Sequence, residues 1–150
     1  MRAVIQRVSE ASLVIDGRKK SSIGVGLVIL LGVENEDKHE DINWLAKKIY
    51  QLRIFNDENG VMNRSVADVD GDMMVISQFT LHAKTRKGNR PSYIAAAKHE
   101  IAIPMYDAFV KKLHQLSGKA IKTGEFGADM KVSLINDGPV TIIIDTKNKE

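Results

Sequence analysis

The chain has no cysteine in 150 residues, which removes disulfides, thiolate nucleophiles and cysteine-ligated metal sites together. That absence is compatible with a reducing compartment without requiring one. No apolar run approaches the roughly 20 residues that a membrane-spanning helix needs. The first residues, Met1-Arg2-Ala3-Val4-Ile5-Gln6-Arg7-Val8, alternate like a strand and lack the apolar segment and cleavage site of a signal peptide. The glycines form neither a Walker phosphate loop nor a Gly-x-Gly-x-x-Gly fingerprint, and no pair among His39, His99 and His114 has metal-ligand spacing with a carboxylate. Repeats, low-complexity segments and linkers are also missing. What remains reads as a soluble, intracellular, single-domain protein, with no membrane segment, metal or cofactor expected.

One local absence says more. From Met73 to His99 there is no acidic residue, while Lys84, Arg86, Lys87, Arg90 and Lys98 stand in the same stretch. The net charge of +3 is modest, but its distribution gives a polyanion a preferred face. The run Lys84-Thr85-Arg86-Lys87-Gly88-Asn89-Arg90 suits phosphate contacts, its glycine letting backbone approach an anion; taken alone it is also an ordinary solvated loop. Few aromatics lie nearby to stack bases, which argues against a general single-strand binder.

The hydrophobic pattern predicts an α+β fold, a largely antiparallel sheet or barrel with helices packed on one side. Ala3 to Val8 and Ser12 to Ile15 alternate as two strands joined at Ser9-Glu10, and Asp16-Gly17 makes a turn. Val25 to Val33 is apolar almost throughout, as a central strand covered on both faces would be. Asp37 and Glu40 resemble a capping box ahead of a helix whose apolar positions are Ile42, Leu45, Ala46, Ile49 and Leu52. Turns follow at Asn56 to Gly60 and Asp68 to Asp72. Pro91-Ser92 can open a short helix through Ala97, and Pro104 suits the first turn of the next, whose stripe is Tyr106, Phe109, Val110, Leu113 and Leu116 before Ser117-Gly118. Lys131 to Ile135 and Val140 to Ile144 read as two more strands, with a Gly138-Pro139 turn between them.

The chain is organised around Met73 to Leu81. It opens as a buried strand and then places Ser77, Gln78 and Thr80 where the apolar pattern should continue. Alternation predicts Gln78 and Thr80 on one face and Ser77, Phe79 and Leu81 on the other. The bland alternative is a strand leaving the core with its polar ends wet. A threonine nucleophile needs a base, and His82 is the nearest candidate. Two residues along a strand is a long reach, however, so a loop histidine at the strand's end is favoured. Phe126 and Met130, in a glycine-punctuated loop, can floor a pocket or simply turn a corner. Gly138-Pro139 can be trans, since only about 5–6% of X-Pro bonds in folded proteins are cis. In either isomer it offers bare carbonyls.

Ser77-Gln78-Phe79-Thr80-Leu81 together with Asn136-Asp137-Gly138-Pro139-Val140-Thr141 resembles the paired signature of the D-aminoacyl-tRNA deacylase family. The likeness runs nearly end to end, through Gln6-Arg7-Val8, Leu52-Arg53-Ile54-Phe55, Arg90-Pro91-Ser92 and Phe126-Gly127-Ala128-Asp129-Met130. It implies a cytoplasmic homodimer that hydrolyses the ester between tRNA and a D-amino acid, or glycine, and rejects L-aminoacyl-tRNA. It further implies that Gly138-Pro139 is cis and enters the partner's pocket to catch the substrate's amino group, with Arg7 holding the loop and Phe126 and Met130 on the substrate side. Ser77, Gln78, Phe79 and Thr80 would line the catalytic wall, whose backbone N–H groups form an oxyanion hole while the tRNA's own 2′-hydroxyl assists. Lys84, Arg86, Lys87 and Arg90 would meet the tRNA. Two other classes stand beside this one: a non-catalytic RNA-binding module using the same basic face, and an esterase for small substrates, which the acid-free basic segment disfavours.

Overall fold

A computed structural model describes residues 1–150. In chain order the elements are β1 (Arg2–Ile15), β2 (Arg18–Ile23), β3 (Gly26–Gly32), α1 (His39–Gln51), β4 (Phe55–Asn56), β5 (Met62–Arg64), β6 (Asp72–Ser77), α2 (His99–Ser117), β7 (Lys122–Thr123) and β8 (Met130–Asp145), with a single 3₁₀ turn over Phe79–His82 before α2.

The N-terminal hairpin expected at Ser9-Glu10 is not there. These residues lie inside one 14-residue strand, β1, because no Gly, Pro or Asn is present to reverse the chain and the ladder simply continues past them. The register against β8 shifts between Gln6 and Val8 and again between Val8 and Glu10, so β1 bends rather than turns. The reversal comes at Asp16-Gly17, whose φ values of 51° and 75° suit the tight two-residue turns of hairpins. From there β2 pairs with the second half of β1 and β3 with the first half, Ala11 facing Ile23 and Val8 facing Gly26. Strands β6 and β7 add in parallel beyond β3, and β8 runs antiparallel along the other edge of β1. The far ends approach each other where the Ser21 hydroxyl donates to the Thr123 carbonyl at 3.4 Å, so the sheet is nearly closed.

The unbroken apolar character of β3 and β6 follows from burial on both sides. Leu27, Ile29, Leu31, Met73 and Val75 face the helices, while Val28, Met74 and Ile76 face a second, smaller core with Val8, Leu13 and Ile23. Helix α1 contributes Ile42, Leu45, Ala46 and Ile49 to the larger core. Helix α2 contributes Ala102, Met105, Tyr106, Phe109 and Leu113.

The helix boundaries correct three expectations. Residues 91–97 form no helix, because their backbone groups are committed elsewhere: Ser92 and Lys84 exchange two bonds of 3.0 and 2.8 Å, and the Ala97 N–H donates to the Val33 carbonyl at 2.9 Å. Helix α2 begins at His99, so Pro104 lies inside it rather than in its first turn. The bond Pro104 cannot donate would have gone to Glu100, and both residues are exposed, so water can take that carbonyl. Helix α1 is capped by Asp41, which accepts the Lys38 N–H at 2.8 Å, and not by Glu40. Asp37 instead accepts from the Met1 ammonium at 2.5 Å and from the Glu34 N–H at 2.9 Å.

Asp41 also accepts from Lys147 at 3.0 Å. Partial burial by itself raises its pKa, but hydrogen bonds from the Thr146 hydroxyl, the Lys38 N–H and Lys147 outweigh it and hold the carboxyl at about 2. A carboxylate depressed in the folded state contributes stability that is complete above its unfolded pKa and is lost as pH falls through the folded value. Asp41→Asn is therefore expected to cost roughly 1 kcal/mol at neutral pH after allowing for solvent screening, and the gap from wild type should close between about pH 5 and pH 2. Urea denaturation across that range checks this, and a pH-independent gap would refute it.

Candidate active site

Strand β6 stops at Ser77 because its parallel partner runs out. The Gln78 N–H makes the last inter-strand bond, 2.8 Å to the Leu31 carbonyl, and the chain then closes on itself with Leu81 N–H to Gln78 O at 3.2 Å and Ala83 N–H to Thr80 O at 3.1 Å. The expected alternation through Leu81 fails at this point. Phe79 leaves the core, is 55% exposed, and meets Tyr93 edge-on at 5.0 Å between ring centres. As the first N–H groups of a helical turn, those of Phe79 and Thr80 have no partner inside it.

Gln78 and Thr80 do come together, their side chains 2.5 Å apart from Nε2 to Oγ1. His82, expected as a loop histidine, is instead buried at 3% exposure. Its ring packs where a β-carbon on Gly32 would lie, and its Nε2 has no hydrogen-bond partner. No hydrogen bond joins it to Thr80. The hydroxyl of Thr80 is thus held by an amide and has no adjacent base.

A cavity of about 820 Å³ opens beside this turn. Ser77, Gln78 and Phe79 form one wall, and Phe126 and Met130 face them. The glycine-punctuated segment both turns the corner into β8 and lines the cavity. Three lining residues, Tyr93, His99 and Tyr106, were not singled out from sequence. Tyr106 belongs to the apolar stripe of α2 and read as core, His99 was weighed as a metal ligand and set aside, and Tyr93 fell in the expected short helix. The Tyr106 hydroxyl donates to the Val75 carbonyl at 2.7 Å. Burial, assisted by Asp107, pushes its pKa well above the usual tyrosine range. Phe126 packs edge-on against both His99 and Tyr106, at 5.3 and 6.1 Å. Thr80 is adjacent to the wall but is not itself a lining residue.

Gly138-Pro139 does not join two separate strands. Strand β8 is continuous over 16 residues, and its pairing with β1 skips from Thr141 opposite Gln6 to Asn136 opposite Val8, so residues 137–140 are extruded from the ladder. The Gly138-Pro139 bond is cis, and Gly138 has φ 137°. A β-carbon there would sit 2.7 Å from Val140 Cγ2 and 2.9 Å from Arg7 Nη2, so only glycine fits. Both residues are exposed, and neither lines the cavity of its own chain. Arg7, buried at 6% exposure, donates to the Asp137 carbonyl and to the Ile54 carbonyl, each at 2.8 Å.

Lys84, Arg86, Lys87 and Arg90 follow directly on the 3₁₀ turn, all exposed and none in an ion pair. The Lys84-Ser92 bonds close the loop at its base. No group of three His, Asp or Glu side chains stands close enough to hold a metal ion.

The family model described as D-Tyr-tRNA(Tyr) deacylase matches residues 4–145. A protein of Bacteroides fragilis (strain YCH46) described as a D-aminoacyl-tRNA deacylase is 67% identical over 150 residues, covering 100% of each chain. Among solved structures, one described as a c-Myc DNA unwinding element binding protein superposes with a TM-score of 0.92 at 40% identity, covering 97% of this chain and 98% of that one. Another, described as a probable eukaryotic D-amino acid tRNA deacylase, has a TM-score of 0.82 at 15% identity over 95% and 97% of the two chains and shares the fold.

The back wall of the cavity can be tested apart from any activity. Tyr106→Phe strands the buried Val75 carbonyl and is expected to cost about 1 kcal/mol of unfolding free energy. Chemical denaturation measures this, and an unchanged midpoint and slope would mean that the bond contributes nothing.

Proposed function

The chain belongs to the D-Tyr-tRNA(Tyr) deacylase family, and we propose that it clears tRNA of D-amino acids by gauging handedness with main-chain oxygens. As a family member it is a carboxylic ester hydrolase acting on D-aminoacyl-tRNA. Water adds to the ester carbonyl, the bond to the ribose oxygen breaks, and the products are free amino acid and tRNA with its terminal hydroxyl restored. The finer features that follow are the proposal.

One observation carries it: the extruded Gly138-Pro139 loop is exposed, is anchored from beneath by buried Arg7, and does not reach the cavity of its own chain. In a homodimer it would enter the partner's cavity, where its carbonyls accept the substrate's α-amino group. Support for such pairing comes from β8, whose outer edge has no strand partner and which carries Ile135 and Ile143 at 53% and 74% exposure. With the amino group fixed by the loop and the ester fixed by the wall at residues 77–79, an L side chain would point into protein and a D side chain outward. Glycine, having no side chain, would pass the same gauge and be hydrolysed.

The N–H groups of Phe79 and Thr80, without partners inside the turn, would serve the developing oxyanion, a service worth several kcal/mol when preorganised. Gln78 would hold the Thr80 hydroxyl so that it orients substrate rather than attacks it. The terminal ribose 2′-hydroxyl would supply the proton transfer for which no side-chain base is at hand. Lys84, Arg86, Lys87 and Arg90 would track the phosphates of the acceptor end. A tRNA substrate and the cysteine-free composition support the cytoplasm as the place of work.

A nucleic-acid-binding module without catalysis has one observation in its favour, the 40%-identical structure named for binding a DNA element. Incubation with D-tyrosyl-tRNA and L-tyrosyl-tRNA separates the two. Release of D-tyrosine alone is expected; release of neither would favour the binder, and equal release of both would end the chirality argument. Neutralising Lys87 and Arg90 to Gln should weaken tRNA binding and reduce the slope of log affinity against log salt by up to about two. An unchanged slope would return that loop to solvent.

A further inference from the structure

Gln6, Asn136 and Thr141 form a closed ring of side-chain hydrogen bonds at the neck of the extruded loop. Asn136 Nδ2 donates to Gln6 Oε1 and, at 3.0 Å, to Thr141 Oγ1, while the Thr141 hydroxyl donates to the same Gln6 Oε1 at 3.1 Å. The other end of the Asn136 amide is also used, its Oδ1 accepting the Val140 N–H at 2.9 Å. One side chain therefore ties together the residue before the loop, the residue ending it and the neighbouring strand.

We propose that Gln6, Asn136 and Thr141 are positioning residues for substrate recognition, a second clamp that sets where Gly138 and Pro139 project. The need for one follows from the ladder. Residues 137–140 have left the β1–β8 pairing, and proline has no N–H to contribute, so the exposed tip has no ladder bonds of its own. Its position is decided at the neck. Consecutive strand residues point to opposite faces, so Arg7 grips from the helix side through Asp137 and Ile54 while Gln6 grips from the outer side. Held from one face only, the loop could pivot about β8; held from both, its carbonyls keep one direction. Gln6 and Asn136 are half-buried and Thr141 is exposed. The ring is therefore not a core feature, and hydrogen-bond energy at such a site contributes little to global stability.

The inference rests on the reading that this loop gauges the substrate. Thr141→Val keeps the side-chain size and removes both of its bonds, Gln6→Ala removes the shared acceptor, and Thr141→Ser keeps the hydroxyl. In Thr141→Val and Gln6→Ala the ratio of D- to L-tyrosyl-tRNA hydrolysis should fall by about tenfold or more, since small misplacements of recognition groups carry penalties of this size. Thermal midpoints should move by no more than a few degrees, the Val140 amide should exchange faster with solvent, and Thr141→Ser should behave as wild type. Gly138→Ala is the reference. If it loses discrimination while Thr141→Val and Gln6→Ala keep it, the clamp is overturned and the loop's role stands. If Gly138→Ala discriminates as wild type does, the loop's role and the clamp fall together.

Discussion

The longest pairing in the molecule, β1 against β8, runs almost the full length of both strands and is interrupted most widely opposite Arg7, where four residues of β8 leave the ladder. Strand β1 uses both of its edges, β8 on one side and the β2–β3 line on the other, so it cannot shift without disturbing the whole sheet. Placing the interruption opposite Arg7 lets a strand paired along both edges anchor a loop that has left the ladder. A glycine that a β-carbon would crowd and a proline that cannot donate make the ladder impossible to continue there. The extruded carbonyls follow as a structural consequence.

The other half of the proposed site arises from a different termination. Strand β6 is parallel to β3, and where the β3 carbonyls end the β6 chain must satisfy its own backbone. It does so with a 3₁₀ turn, which swings Phe79 outward, leaves two N–H groups free of intrahelical partners and sets Gln78 against Thr80. Antiparallel interruption supplies acceptors and parallel termination supplies donors. An aminoacyl ester needs both, an acceptor for its amino group and donors for its carbonyl oxygen. Within one chain these two sets stay apart, and the proposed assembly of two copies is what would bring them together.

The basic loop between Ala83 and Pro91 is tied by its ends, through the Lys84-Ser92 bonds, to the same turn. Its charges carry no ion-pair partners, so their field is available to an incoming polyanion. In the proposed function, attraction of the nucleic acid and positioning of its acyl end would share one short stretch of backbone, from Ser77 to Ser92.

Much of this was legible in the order of residues. Unbroken apolar runs located the doubly covered strands, a spacing of 3.6 the apolar stripes of both helices, and turn residues the Asp16-Gly17 reversal, because each of these is written in adjacent residues. The paired motifs pointed to the family. Local patterns could not say where a chain lacking turn residues keeps going, so Ser9-Glu10 looked like a junction and is the middle of β1. Nor could they say that β6 stops because a distant neighbour stops, that residues 91–97 commit their hydrogen bonds to Val33 and Lys84, or that His82, at the end of the 3₁₀ turn, is buried. Each of these was decided by partners remote in sequence. A backbone N–H takes whichever acceptor the tertiary fold brings to it, and that acceptor leaves no periodic trace in the residues that use it.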